Sequence, residues 1–127
     1  MKIQAILWGA ALGGVSVCIG AFGAHALKPM LTESGRLDTF ELAVRYQFYH
    51  ALALLATGIL IQQQESRALH YSSLFFLVGI LFFSGSLYVL CFTGIGILGA
   101  ITPIGGIFFI LGWIFLFTGA YKRQTPL

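Results

Sequence analysis

The amino-acid sequence predicts an all-α membrane protein in which four transmembrane helices form a compact bundle. The first reason is composition, because 58% of the 127 residues are hydrophobic and only 9% are charged. Soluble domains have about a quarter charged residues, so lipid must be the solvent for most of this chain. The second reason is that the apolar residues form four runs of about the 20 residues that a helix needs to cross the hydrocarbon core.

The four predicted spans belong to a single integral-membrane domain over residues 1–127. The first ends in Ala24-His25-Ala26, which matches the cleavage pattern of a signal peptide. Its apolar run is longer than the roughly 7–15 residues of such peptides, so we expect this span to be retained. The predicted spans cover residues 3–27, 43–61, 69–92 and 95–121.

The connector before the second span predicts a helix that starts at the membrane interface. Pro29 is expected to end the first helix, and Ser34-Gly35 is a turn signal. Asp38 is placed as an N-cap with Glu41 three residues later, the spacing of a capping box. The helix would therefore begin near Asp38 and continue into span two.

The connector TGIG between the third and fourth spans is short and uncharged, which predicts a tight hairpin. Pro103 then lies one turn inside the predicted fourth span and is expected to kink it.

The distribution of basic residues predicts that both termini face the cytoplasm, where loops carry more lysine and arginine. The net charge of +3 is assigned to these flanking residues. The sequence has no basic cluster with interleaved aromatic residues, so no nucleic-acid partner is expected. The side of the termini carries Lys2, Arg67, Lys122 and Arg123, and the other side carries Lys28, Arg36 and Arg45.

Small residues recur at helical spacing in the first and fourth spans and predict close helix–helix packing. Two such stripes are more than one short bundle needs, which favours a homo-oligomer. The packing residues are Gly9, Gly13, Ser16, Gly20 and Gly23 in span one, and Gly105, Gly112 and Gly119 in span four.

Polar residues of all four spans are predicted to form one layer in the outer half of the membrane. Ionisable side chains in a membrane usually face the interior of a bundle, so His25 and His50 are expected at one level on neighbouring helices. At least one of the two is expected to form a hydrogen bond to another span. The predicted layer comprises His25, Arg45, Tyr46, Gln47, His50, Ser84, Ser86, Tyr88 and Thr102.

This layer has three interpretations, of which a hydrogen-bonded network that fixes helix register is preferred. A path for protons or a small solute is the second, since histidine titrates near neutral pH. Haem or metal ligation by His25 and His50 is the third, but a further ligand is missing and no cofactor is expected. Cys18 and Cys91 lie in apolar runs without metal-binding spacing. Catalytic motifs are absent from the sequence, so no enzymatic activity is expected.

Four motifs occur in order along the chain: GAFGAHAL, YQFYHALALL, FSGSLY and TPIGG. In these motifs, its length and its four spans, the sequence resembles the YgdD/YwdK-like family of small bacterial membrane proteins, a domain of unknown function. The resemblance implies a multi-span protein of the bacterial plasma membrane and implies no activity. We therefore expect a non-enzymatic structural protein, or one that binds a lipid or small apolar molecule. The alternative is a conduit for protons or a small solute.

Overall fold

The computed structural model describes residues 2–124, which are almost entirely helical and contain no strand. Four of the helices are long and apolar enough to cross a membrane, which confirms the predicted fold class. The helices are α1 (Lys2–Ala24), α2 (Lys28–Glu33), α3 (Leu37–Gln63), α4 (Arg67–Thr93), a short 3₁₀ helix (Gly96–Ala100) and α5 (Thr102–Gln124).

The long helices pack in chain order. Helices α3 and α4 form the central pair, α1 packs along α3, and α5 packs along α4. Contact between α1 and α4, and between α3 and α5, is only marginal. The result is a bundle with two lateral grooves, one between α1 and α4 and the other between α3 and α5.

Helix α3 begins at Leu37, ahead of the predicted second span, so the early helix start is confirmed. The predicted capping box is wrong, because Arg36 is the N-cap residue and contributes no side-chain cap. Asp38 instead lies in the first turn, where its negative charge interacts favourably with the helix dipole and stabilises the helix.

Two prolines have roles other than the predicted ones. Helix α1 has already ended at Ala24, and Pro29 lies in the first turn of the short helix α2. Pro103 lies in the first turn of α5, where the N–H that proline lacks has no helical partner. The residues before it form the 3₁₀ helix, and so Pro103 starts a helix where a kink was predicted.

The small-residue stripe of α1 packs on α3. A Cβ added at Gly9 would lie 2.9 Å from the backbone nitrogen of Leu55, and one at Gly20 would lie 3.3 Å from Val44 Cγ1. Gly23 lies against the ring of Phe40 in the same way. The stripe therefore lets two backbones approach closely, as the sequence predicts.

The glycines of α5 lie against α4. Gly105 lies against the backbone of Phe83, Gly112 against Phe76, and Gly119 against Leu69. Both predicted stripes are thus used within one chain. The argument from surplus stripes to a homo-oligomer is therefore wrong, and the oligomer itself stays a prediction.

The glycine contacts predict that substitution by alanine changes the stability of the protein differently at Gly9 and at Gly14 of α1. Gly9→Ala should destabilise the protein by about 1–3 kcal/mol, because the new methyl group meets backbone that must shift. Gly14→Ala meets nothing within 4 Å and should be neutral or stabilising, since alanine favours a helix by up to about 1 kcal/mol over glycine. Unfolding in detergent micelles measures both values, and equal effects would contradict the packing of α1 on α3.

Candidate functional site

Gln47 connects three of the four spans. Its side chain, on α3, is only 3% exposed. The amide Nε2 donates to the backbone carbonyl of Leu12 on α1 at 3.0 Å. The amide oxygen accepts from the hydroxyl of Tyr88 on α4 at 2.7 Å. One side chain thereby fixes the register of α1, α3 and α4.

Serine hydroxyls supply further bonds between neighbouring helices. Ser84 on α4 donates to the carbonyl of Ala43 on α3 at 2.7 Å. The hydroxyls of Ser86 and Thr102 lie 2.8 Å apart and join α4 to the first residue of α5. Six of the predicted polar residues, including Gln47, Tyr88 and His50, therefore form a side-chain hydrogen bond to a neighbouring helix.

His50 is buried between α3 and α5. Its Nδ1 lies 2.7 Å from the carbonyl oxygen of Tyr46, so this nitrogen must carry the proton that is donated. Its Nε2 lies 3.2 Å from the indole nitrogen of Trp113, which donates to it. The ring of Phe109 stacks on the imidazole with centroids 3.5 Å apart. His50 is thus a neutral imidazole with both nitrogens bonded.

The prediction that His25 faces the same layer is wrong. His25 lies in the turn after α1 and is exposed. Gly23 contacts Phe40, and His50 lies ten residues further along α3, which is about 15 Å at the rise of a helix. His25, in the turn after α1, and His50, on α3, are therefore nearly three helical turns apart in depth.

Arg45 and Tyr46 also differ from the predicted layer. Arg45 is exposed on the surface of α3. Tyr46 is half-buried, and its ring stacks on Phe83 with centroids 4.7 Å apart. The polar residues thus form separate bonds at different helix pairs, and they do not form one continuous layer.

Sequence reasoning missed several partners, since most of them are backbone carbonyls. The indole of Trp113 was not expected beside His50. Ser72 donates to the carbonyl of Gly112 at 2.8 Å, and Gln64 donates to that of Gly119. The available signal was the glycine stripe itself, because a glycine leaves its carbonyl accessible to a neighbouring helix.

The groove between α1 and α4 is the candidate ligand site. It encloses about 510 Å³ and is open on the outer side of the two helices. Its wall residues are almost all apolar, and Gly85 leaves open space within it. Gln47 and Ser84 lie at its floor, but they are buried and bonded to the helices. The principal wall residues are Trp8, Leu12, Val15, Leu77, Leu81 and Tyr88.

The groove between α3 and α5 has a different character. It encloses about 550 Å³, and its walls are largely aromatic. His50 lies in it but is covered by its contacts with Phe109 and Trp113. Among residues with described side chains, no three His, Cys, Asp or Glu residues lie close enough together to hold a metal ion.

Comparison with known proteins shows similarity to proteins that are named as membrane proteins. The model of a family described as "Protein of unknown function (DUF423)" matches residues 19–106. The chain is 48% identical to a UPF0382 membrane protein of Staphylococcus saprophyticus, over 96% of this chain and 99% of that protein. No solved structure matches this chain.

Two further relatives carry the names that the sequence motifs suggested. The UPF0382 membrane protein YwdK of Bacillus subtilis is 40% identical over 96% of this chain and 98% of its own length. The UPF0382 inner membrane protein YgdD of Escherichia coli is 34% identical over 94% of this chain and 90% of its own length.

The bond between Gln47 and Tyr88 predicts energetic coupling between these residues. In a double-mutant cycle of Gln47→Leu and Tyr88→Phe, we expect a coupling energy of about 0.6–1.7 kcal/mol, between the average and the maximum for hydrogen bonds between transmembrane helices. Unfolding in detergent measures it. Tyr71→Phe is the matched control, because Tyr71 is exposed on the same helix. Additive effects of Gln47→Leu and Tyr88→Phe would contradict the bond.

Proposed function

The chain belongs to the DUF423 family of unknown function, and we propose that this integral membrane protein has a non-enzymatic role in which it holds the hydrocarbon chain of a lipid. The observation that carries the proposal is the apolar groove between α1 and α4. Its volume of about 510 Å³ lies within the range of about 300–1,000 Å³ that ligand sites usually have.

The surroundings of the groove support a lipid as its occupant. Both helices that border the groove are long and apolar enough to cross a membrane, so the groove opens towards the bilayer. Leu81 and Val15 on its walls are exposed and apolar. A hydrocarbon chain can enter sideways from the bilayer and contact these walls without leaving a polar group unsatisfied.

The hydrogen bonds of the polar residues near the groove favour lipid binding over conduction of protons or a solute. Gln47, Ser84 and Tyr88 each form a bond to a neighbouring helix. Among residues with described side chains, no buried side-chain nitrogen or oxygen atom lacks a hydrogen-bond partner. A proton or solute path needs polar groups that can exchange partners along its length, and these groups are instead committed to holding the helices together.

We also propose that the protein lies in the bacterial plasma membrane with both termini in the cytoplasm. The relative from Escherichia coli is named an inner membrane protein, which supports the assignment to the plasma membrane. Lys122 and Arg67 at one end of the spans, against Lys28 and Arg36 at the other, support the orientation through the bias of basic residues. A reporter that works only in the cytoplasm should be active when it is fused after the last residue, and one that works only outside the cytoplasm should be inactive there.

Filling the groove should remove the bound lipid. Gly85→Leu places a large apolar side chain in the open space of the groove, where an added Cβ meets nothing within 4 Å. We expect the fraction of protein that keeps a lipid after purification in mild detergent to fall severalfold. Native mass spectrometry of the intact protein measures this fraction.

Gly14→Leu is the matched control, because Gly14 is exposed on α1 and an added Cβ also meets nothing. It adds the same side chain to a spanning helix outside the groove and should leave lipid retention unchanged. Equal retention by wild type and Gly85→Leu would exclude the proposed site. Proton uptake into proteoliposomes that is abolished by His50→Ala would establish the conduit in its place.

A further inference from the structure

Arg45 is a charged side chain in an unusual place. It lies on α3 within the spanning segment Leu37–Gln63, eight residues after the helix begins, or about 12 Å along it. The next side chains on this face, Phe48, Tyr49 and Leu52, are exposed and apolar or aromatic. Arg45 is therefore the last charge on this face before the hydrocarbon.

Arg45 has no ion-pair partner among the described side chains. Glu41 is exposed one turn earlier on the same helix, but among residues with described side chains Arg45 forms no ion pair. A charged side chain inside a membrane is costly, and it usually finds a partner. At the border between headgroups and hydrocarbon, the anion available to an outward-facing guanidinium is a lipid phosphate.

The surface around Arg45 has the shape that such a lipid requires. Two hollows of about 330 and 280 Å³ lie along the seam between α1 and α3, and both are lined by Gly20, Val44 and Arg45. The first extends towards the outer end of the bundle, where it reaches Glu41. The second extends towards the membrane interior, where Val17 forms part of its wall. Arg45 thus borders both hollows.

We propose that Arg45 binds the phosphate of an anionic phospholipid whose acyl chain lies along the seam between α1 and α3. A planar guanidinium can donate two parallel hydrogen bonds to a phosphate, which suits arginine better than lysine. Gly20 leaves the seam open beside Val44, since an added Cβ would lie 3.3 Å from Val44 Cγ1. This site is separate from the groove between α1 and α4 and does not depend on it.

The test compares retention of phosphatidylglycerol with that of phosphatidylcholine. The full-length protein is purified in mild detergent with each lipid added in turn, and native mass spectrometry counts the bound molecules. We expect wild type to retain phosphatidylglycerol preferentially. Arg45→Gln should lower this retention about tenfold, the loss expected for one charge-assisted bond. Arg45→Lys should give an intermediate value, because it keeps the charge and loses the two-bond geometry.

Lys28→Gln is the matched control, since it removes one exposed positive charge at the same end of the molecule but outside the seam. It should retain as much phosphatidylglycerol as wild type. An equal loss in Lys28→Gln and Arg45→Gln would overturn the site, because attraction to the net charge would then account for binding. Unchanged retention in Arg45→Gln would also overturn it.

Two further measurements separate lipid binding in the seam from binding of free phosphate and from binding in the groove between α1 and α4. Inorganic phosphate in excess should leave the bound phospholipid in place, because free phosphate lacks the acyl chain. Displacement of the phospholipid by phosphate would overturn the role of the seam.

Gly85→Leu should leave the preference for phosphatidylglycerol unchanged, since Gly85 lies in the groove between α1 and α4. Loss of the preference in this variant would place the phospholipid in that groove and overturn the site at Arg45. Arg45 is exposed, so unfolding in detergent should show that Arg45→Gln remains folded.

Discussion

Close approach between the backbones of α1 and α3 is the constraint on which the rest of the structure depends. Lipid gives helices no hydrophobic reason to associate, so packing and hydrogen bonds must hold them. Glycines such as Gly9 and Gly13 let α1 lie against α3, and the carbonyl of Leu12 then comes within reach of Gln47. The same glutamine bonds to α4, so the contact between the first two spans also orients the third.

The two sides of the central helix pair are consequently different. On the side of α1, the walls are largely aliphatic, and the polar groups beneath them are bonded within the protein. On the side of α5, His50 and Trp113 are bonded to each other within an aromatic wall. One side therefore presents an apolar surface, while the other uses its polar atoms to hold α3 against α5.

Helix positions and packing faces were predictable from the sequence, whereas the polar partners were not. Apolar runs set the spans, and the spacing of glycines identified the contact faces of α1 and α5 correctly. Gln47 and Tyr88 were expected to be buried, but backbone carbonyls carry no signal in sequence, so the acceptor at Leu12 was not found. His25 was placed inward because of its residue type, yet α1 ends at Ala24 and leaves it in an exposed turn. Helix ends depend on local turns that hydropathy does not resolve.

Packing in chain order has a consequence for how the protein is made. Each long helix after the first packs against the long helix synthesised just before it. A ribosome that releases the spans from the N-terminus onwards therefore never leaves a helix waiting for a distant partner. Contacts that are local in sequence form quickly, so insertion and assembly can proceed together, one helix at a time.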